Sequence, residues 1–325
     1  MILLTGGAGF IGSVLGKELN SLGHSNLIIV DRLECSTKWK NLRNLTFEDY
    51  ILVEDFDPYL LADSMEKIDI IFHMGACSST TEEDMDYLIE NNVNFSKMLF
   101  SFATDFKIPF IYASSAATYG NGNLGYNDDH LEVPKLRPMN PYGFSKQIFD
   151  EWAIRQTETP PKWFGLKFFN VFGPNEYHKD DMRSMVHKAY YQIREQSKVR
   201  LFKSYDENFK DGEQLRDFIY VKDVVKALVQ IWKDNNAKQS GIYNLGTGKA
   251  RSFNDLARSI FNAMNVPIDI EYFEMPDNIR DQYQYFTESN SSKLKSLIGD
   301  IEFNSLENSI NDYVNNYLIN EDQYF

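Results

Sequence analysis

An α/β protein, with helices covering both faces of a parallel sheet, follows from three observations in this 325-residue sequence. Short β-branched, apolar runs alternate with amphipathic helical patterns through the first half. A glycine-rich turn joins the first run to the first helical pattern. No internal repeat or low-complexity linker breaks the chain into separate beads. Strands connected through helices are parallel and buried on both faces, so they read as continuous apolar stretches.

The elements follow in order. The pattern predicts strands at Ile2–Thr5, Leu27–Asp31, Ile68–His73 and Phe110–Ser115, rich in Ile, Val and Phe. Helices are predicted over Ile11–Leu22, more weakly around Pro58–Met65, then over Glu82–Thr104 and Pro141–Arg155. A further strand is expected at Gly165–Phe169. After Asn170 the texture changes: residues 174–211 are polar, charged and aromatic, with one helix around Met182–Glu195. A strand-to-helix unit returns at Arg216–Trp232, and a strand at Gly241–Leu245 precedes a helix that Ser252 is expected to cap. Ligands of such sheets lie at the carboxyl ends of the strands.

Composition excludes several classes. Lys and Arg number 33 against 47 Asp and Glu, a net charge of −14. Such a surface repels nucleic acid and anionic membrane, so neither is an expected partner. A small anionic substrate requires a local convergence of cations. The two cysteines, Cys35 and Cys77, stand apart from any His or Cys cluster, so neither a disulfide framework nor a metal is expected. No apolar run approaches the ~20 residues of a membrane span, and no basic leader precedes the first strand. A cytoplasmic protein is expected.

The run Thr5-Gly6-Gly7-Ala8-Gly9-Phe10-Ile11-Gly12 closes the first strand and opens the first helix. Glycines there permit a tight turn, backbone approach to a pyrophosphate, and close helix packing. The N–H groups at the helix start then hold the anion. Asp31, ending the second strand, is the expected partner of the adenosine ribose. A Rossmann-type doubly wound sheet therefore binds a dinucleotide with residues 1–169 and a returning segment at about 214–245. Residues 170–213 and 246–325 form the smaller interleaved substrate lobe. Asp31 alone favours NAD; Arg32 and Lys38 beside it could neutralise a 2′-phosphate, and tip the expectation to NADP with NAD as the alternative.

Asn140-Pro141-Tyr142-Gly143-Phe144-Ser145-Lys146 begins the fourth helix, with Asn140 as N-cap and Pro141 in the first position. Tyr142 and Lys146 are spaced i, i+4 and share one face. A phenol titrates near ~10, and a neighbouring ammonium favours its ionised form, making Tyr142 a candidate general base. Ser115, at the end of the Phe110–Ser115 strand, completes a Ser–Tyr–Lys set. His73 reads as a structural histidine, and Glu82-Glu83-Asp84 as acids of a helix start.

These motifs resemble the extended short-chain dehydrogenase/reductase family of sugar-nucleotide enzymes over essentially the whole chain. Its 4,6-dehydratase branch has an acidic pair where Ala116 and Ala117 stand here, so epimerisation is the implied reaction. The runs Phe72-His73-Met74-Gly75-Ala76-Cys77-Ser78-Ser79-Thr80-Thr81, Phe169–Pro174, His178-Lys179, Glu207–Lys210, Pro276-Asp277, Tyr283-Gln284 and Phe286-Thr287 are similar to the branch of 6-epimerases acting on ADP-linked heptose, of lipopolysaccharide inner-core synthesis. A UDP-hexose 4-epimerase is the rival. The resemblance implies Tyr142 as first base, Lys146 as its electrostatic partner, Ser115 as hydroxyl support and Lys179 as second base, with a phosphate contact as the other role for Lys179. It implies a cofactor lined by Gly6, Gly9, Phe10, Ile11, Gly12, Met74, Gly75, Ala76, Cys77, Ser78, Asn91 and Val171. It implies a substrate lined by Asn170, Asp181, Lys188, Leu201, Phe202, Lys203, Ser204, Arg216 and Tyr283, with His187 competing with Lys188 for one position. Lys203 and Arg216 supply the cations for a diphosphate. Asp180 and Asp181 replace small residues, residues 211–215 read as a short insertion, and a cofactor-side lysine corresponds to Val53. A homo-oligomer, a pentamer, is implied.

Overall fold

The computed structural model describes residues 1–325 except 35, 61–66, 235–238 and 281–282. Seven strands build the central sheet: β1 (Ile2–Thr5), β2 (Leu27–Asp31), β3 (Asp49–Leu52), β4 (Ile70–His73), β5 (Phe110–Ser115), β6 (Trp163–Phe168) and, far along the chain, Gly241–Leu245. The order is Gly241–Leu245, β6, β5, β4, β1, β2, β3, and every pairing is parallel. The order reverses between β1 and β4. That reversal opens a crevice at their carboxyl ends, the switch point where doubly wound sheets bind ligands.

Alternate residues of the strands feed two cores, one on each face. Ile2, Leu4, Phe72 and Phe164 join one; Leu3, Ile28, Ile71 and Phe110 join the other. Both faces are therefore dry, which is why these strands read as unbroken apolar runs. The outer strand β3 is the exception: its side chains are half-buried or exposed, and its short run Tyr50-Ile51-Leu52 is set between acids.

Helices fall close to the expected positions, at Phe10–Ser21, Pro141–Ile154, Met185–Gln196 and Val221–Lys233. Ser252 caps the Phe253–Met264 helix through a full capping box with Asp255. The helix expected over 82–104 is interrupted. Asp84 caps Met85–Leu88, accepting from Tyr87 N at 3.0 Å; a π turn spans Ile89–Asn94; and the helix resumes at Phe95–Asp105. The weak pattern around 58–65 lies mostly outside the described residues.

Past β6 the chain leaves the sheet and returns. β7 (Asn170–Phe172) pairs with Phe218–Tyr220, and Leu215–Arg216 pairs with Arg251–Ser252. Val199–Phe202 pairs with Ile270–Phe273. Asp217, fully buried, accepts from Thr247 N (2.8 Å), Thr247 Oγ1 (2.6 Å), Gly248 N (2.9 Å) and Ser289 N (3.0 Å), tying two other stretches of chain to its carboxylate. Among the described residues no helix is long and apolar enough to cross a membrane.

Candidate active site

A cavity of about 920 Å³ occupies the crevice at the strand ends. Its floor is the glycine turn. Gly6 has φ +69°, and a Cβ there would collide with the Gly75 backbone, so the β1 and β4 loops touch main chain to main chain. The Phe10–Ser21 helix starts at Gly9 with no side-chain cap, leaving first-turn N–H groups free for an anion. Asp31 is held at the end of β2 by Ala8 N (2.8 Å) and Arg32 N (2.7 Å). An uncapped helix start, a turn that admits no side chain and a fixed carboxylate fit a nicotinamide dinucleotide.

The cofactor residues expected from the sequence line this cavity, apart from Arg32 and Asn91. Those two line a smaller adjoining recess of about 140 Å³ at the end of β2. There Asn91 accepts from Arg32 Nη1 at 2.6 Å.

Tyr142, Lys146 and Ser115 face the same cavity. Asn140 caps their helix by accepting from Gly143 N at 2.7 Å, and Pro141 fills the first position. Lys146, 5% exposed, donates to Ala113 O at 2.9 Å, which anchors the helix to β5. Ser115 ends β5 and caps the 3₁₀ turn Ala116–Tyr119, accepting from Ala117 N at 3.1 Å. The electrostatics depart from expectation. Burial holds the Tyr142 phenol above its ordinary value, with its Ser115 hydrogen bond acting the other way. Burial also lowers Lys146 to about 8, against an opposing pull from Asp150. The expected drop of Tyr142 beside an ammonium is therefore not met by the protein groups alone, because desolvation of both side chains dominates.

Lys179 lines the cavity from the 3₁₀ segment Tyr177–Met182, its Nζ 5.7 Å from the centre of the Phe10 ring. Burial depresses its ammonium; Glu176 opposes this. Glu176 is itself buried and bonds Ser184 Oγ (2.8 Å), Ser184 N and Gly173 N (3.3 Å), pinning both ends of the loop that carries Lys179. Asp180, with φ +44°, takes a backbone region that favours glycine, and Arg183 Nη2 holds its carboxylate at 3.1 Å.

The substrate residues divide. Ser115, Asn170 and Asp181 line the cavity. Lys188, Leu201, Phe202, Lys203, Ser204, Arg216 and Tyr283 do not line it. Lys188 is exposed and donates to Asp181 O at 2.6 Å, whereas His187 is buried against Tyr177 and Tyr191. Leu201 is a core residue. Lys203 lies outside the cavity and pairs with Glu274 at 2.6 Å. Arg216 is different: 7% exposed, it lies between the rings of Tyr283 (5.1 Å) and Phe253 (5.7 Å), and forms no ion pair among the described residues. Phe253 lines the cavity, placing this buried cation just behind its wall. His73 is structural, held by Thr5 Oγ1 (2.6 Å) and Ser96 Oγ (2.8 Å), and burial lowers it to about 3.

Sequence reasoning missed two supports. Asn92, on the π turn, bonds both Cys77 N (2.8 Å) and Cys77 O (3.0 Å) and donates to Ser145 Oγ (2.9 Å), coupling the β4 loop to the Tyr142 helix. Asp150 and Lys167, both fully buried, pair at 2.6 Å; Tyr112 and Ser114 also donate to Asp150, and Lys167 donates to Thr118. An Asn-Asn pair gives no sign of which member faces inward, and an isolated Lys in a strand gives no sign of its partner.

Comparison with known proteins agrees with this geometry. Residues 2–246 match the model of the NAD dependent epimerase/dehydratase family. The chain is 49% identical to the ADP-L-glycero-D-manno-heptose-6-epimerase of Fusobacterium nucleatum and 47% identical to that of Nitratidesulfovibrio vulgaris, with all of each chain covered. The crystal structure of the Helicobacter pylori ADP-L-glycero-D-manno-heptose-6-epimerase superposes with a TM-score of 0.80 at 30% identity, covering 96% of this chain and 94% of that one. A glycine cradle at the switch point, a Tyr–Lys pair over it and relatives matched end to end lead to one conclusion: the chain belongs to the NAD dependent epimerase/dehydratase family.

Proposed function

We propose that the chain interconverts ADP-D-glycero- and ADP-L-glycero-D-manno-heptose at C6. The observation that carries this is the presence of two half-buried proton-handling groups, Tyr142 and Lys179, on one cavity beside the glycine cradle. Full-length identity to two enzymes of that name supports the substrate. A bound dinucleotide would supply the hydride acceptor, and later the hydride donor, for the sugar carbinol. Lys146 stabilises the Tyr142 phenolate, Ser115 orients the reacting hydroxyl, and the phenolate takes the hydroxyl proton to become a neutral phenol. Lys179 exchanges the proton when the hydroxyl forms on the other face; its depressed ammonium suits a group that must give a proton up. Ala116 and Ala117 offer no acid to a leaving hydroxide, so the sugar keeps its oxygens.

Arg216 is proposed as the diphosphate anchor: a buried guanidinium without an ion-pair partner among the described residues is electrostatically incomplete until an anion arrives. Residues 1–169 with 214–245 carry the dinucleotide, and 170–213 with 246–325 carry the sugar nucleotide. NADP is the proposed dinucleotide, with Lys38 and Arg32 as counter-ions of the 2′-phosphate. A pentamer is proposed on family resemblance, to be read from the mass in light scattering.

Purified protein incubated with ADP-D-glycero-heptose, with no nicotinamide added, is expected to yield the mixture of C6 epimers. No turnover even with added dinucleotide would remove the substrate proposal. Lys179→Ala separates the two epimerase readings: it abolishes C6 epimerisation, whereas a UDP-hexose 4-epimerase would have no need of that lysine.

A further inference from the structure

We infer that Glu54 sets which nicotinamide dinucleotide the chain prefers, by gripping Arg32 at the ribose recess while opposing any second negative charge there. The inference rests on the dinucleotide reading above.

The recess at the end of β2 is lined by Asp31, Arg32, Glu34, Lys38 and Val53, together with Tyr87 and Asn91. Both of its cations are already engaged. Lys38 Nζ lies 2.5 Å from Asp31 Oδ1 and 2.9 Å from Arg32 O. Arg32 donates from Nε to Glu54 and from Nη1 to Asn91 Oδ1 at 2.6 Å. Its Nη2 has no hydrogen-bond partner among the described residues. The guanidinium is thus oriented by a carboxylate on one side and an amide on another, with one nitrogen left over.

Glu54 does not line the recess; it acts through Arg32. An adenosine ribose with a free 2′-hydroxyl needs only an acceptor, and Asp31 supplies one. A 2′-phosphate brings a charge of about −1.5 to −2 close to Asp31, Glu34 and Glu54, against the two cations Arg32 and Lys38. Orientation and repulsion therefore oppose each other at Glu54, and Glu54→Gln separates them. The amide oxygen still accepts from Arg32 Nε, so the guanidinium keeps its place, but the charge is gone. Glu54 is 54% exposed in its side chain, so the change leaves the core untouched.

The test uses the holoprotein as purified. Wild type and variants are equilibrated with equimolar NAD⁺ and NADP⁺, washed and denatured, and the released dinucleotides are separated and quantified. Glu54→Gln is expected to raise the NADP-to-NAD ratio by roughly tenfold over wild type, the effect of removing one partly screened unit charge. Arg32→Gln should lower it several-fold. A ratio in Glu54→Gln within about twofold of wild type, or below it, overturns the inference, and that variant decides alone if Arg32→Gln fails to fold. Release of no dinucleotide from wild type is a separate outcome: it defeats the dinucleotide reading itself.

Discussion

At the scale of single residues, Tyr142 has two opposed influences: desolvation lifts its phenol, and the Ser115 hydrogen bond lowers it. Tyr142→Phe removes the proton acceptor without changing the packed ring. Turnover is expected to fall by ~10²–10⁴, while the dinucleotide released on denaturation stays the same. Lys146 sets the alkaline limb. Its depressed value of about 8 means that it loses its charge as pH rises through that point, and with it the stabilisation of the phenolate. The rate of epimerisation should therefore decline above about pH 8, which a pH profile of kcat reads directly. The candidate site was legible at this scale wherever spacing encodes geometry: Tyr142 and Lys146 as i, i+4 neighbours, Asn140 as a cap, Asp31 at a strand end. It was illegible where a charge had a rival partner. Lys203 was offered to a diphosphate, but nothing in its neighbourhood in sequence reveals Glu274 seventy-odd residues away.

At the scale of elements, the active helix Pro141–Ile154 is held by polar ties rather than by apolar packing alone. Asp150 and Lys167 join it to β6, and Asn92 joins it to the loop after β4. Lys167→Met would leave Asp150 charged and unpaired in a dry interior. A loss of roughly 3–5 kcal/mol in denaturant-derived stability is expected, unlike the small effect of breaking a surface pair. Element positions were mostly readable because buried parallel strands and capped helices write themselves as apolar runs and polar punctuation. β3 was not, since this outer strand with exposed faces offers only the short run Tyr50-Ile51-Leu52-Val53 between Asp49 and Glu54. The π turn was not, because an extra residue per turn leaves hydrophobic spacing nearly intact over so short a stretch.

At the scale of the whole molecule, the lobes are laced together by buried polar centres. Asp217→Ala would orphan several donors at once and should lower stability by about 2–4 kcal/mol, visible as a fall in the denaturation midpoint. Stability should also respond to acid in a defined direction. Burial is the main cause that holds His73, His178 and His187 below their ordinary value, at about 3, 4 and 4. The unfolded chain then binds protons that the fold refuses, so stability drops as pH falls through ~6.5. His187→Phe, which keeps the aromatic contacts with Tyr177 and Tyr191, is expected to flatten that slope by about 1.4 kcal/mol per pH unit. Thermal melts at pH 7, 6 and 5 test it. The late return of Gly241–Leu245 to the sheet bears on biosynthesis. During translation β6 has no neighbour on its outer flank until that segment has left the ribosome, a delay of roughly 5–15 s at ordinary elongation rates. A nascent chain in that interval presents a bare, sticky edge, so chaperone depletion should penalise yield of this protein more than its final stability would suggest.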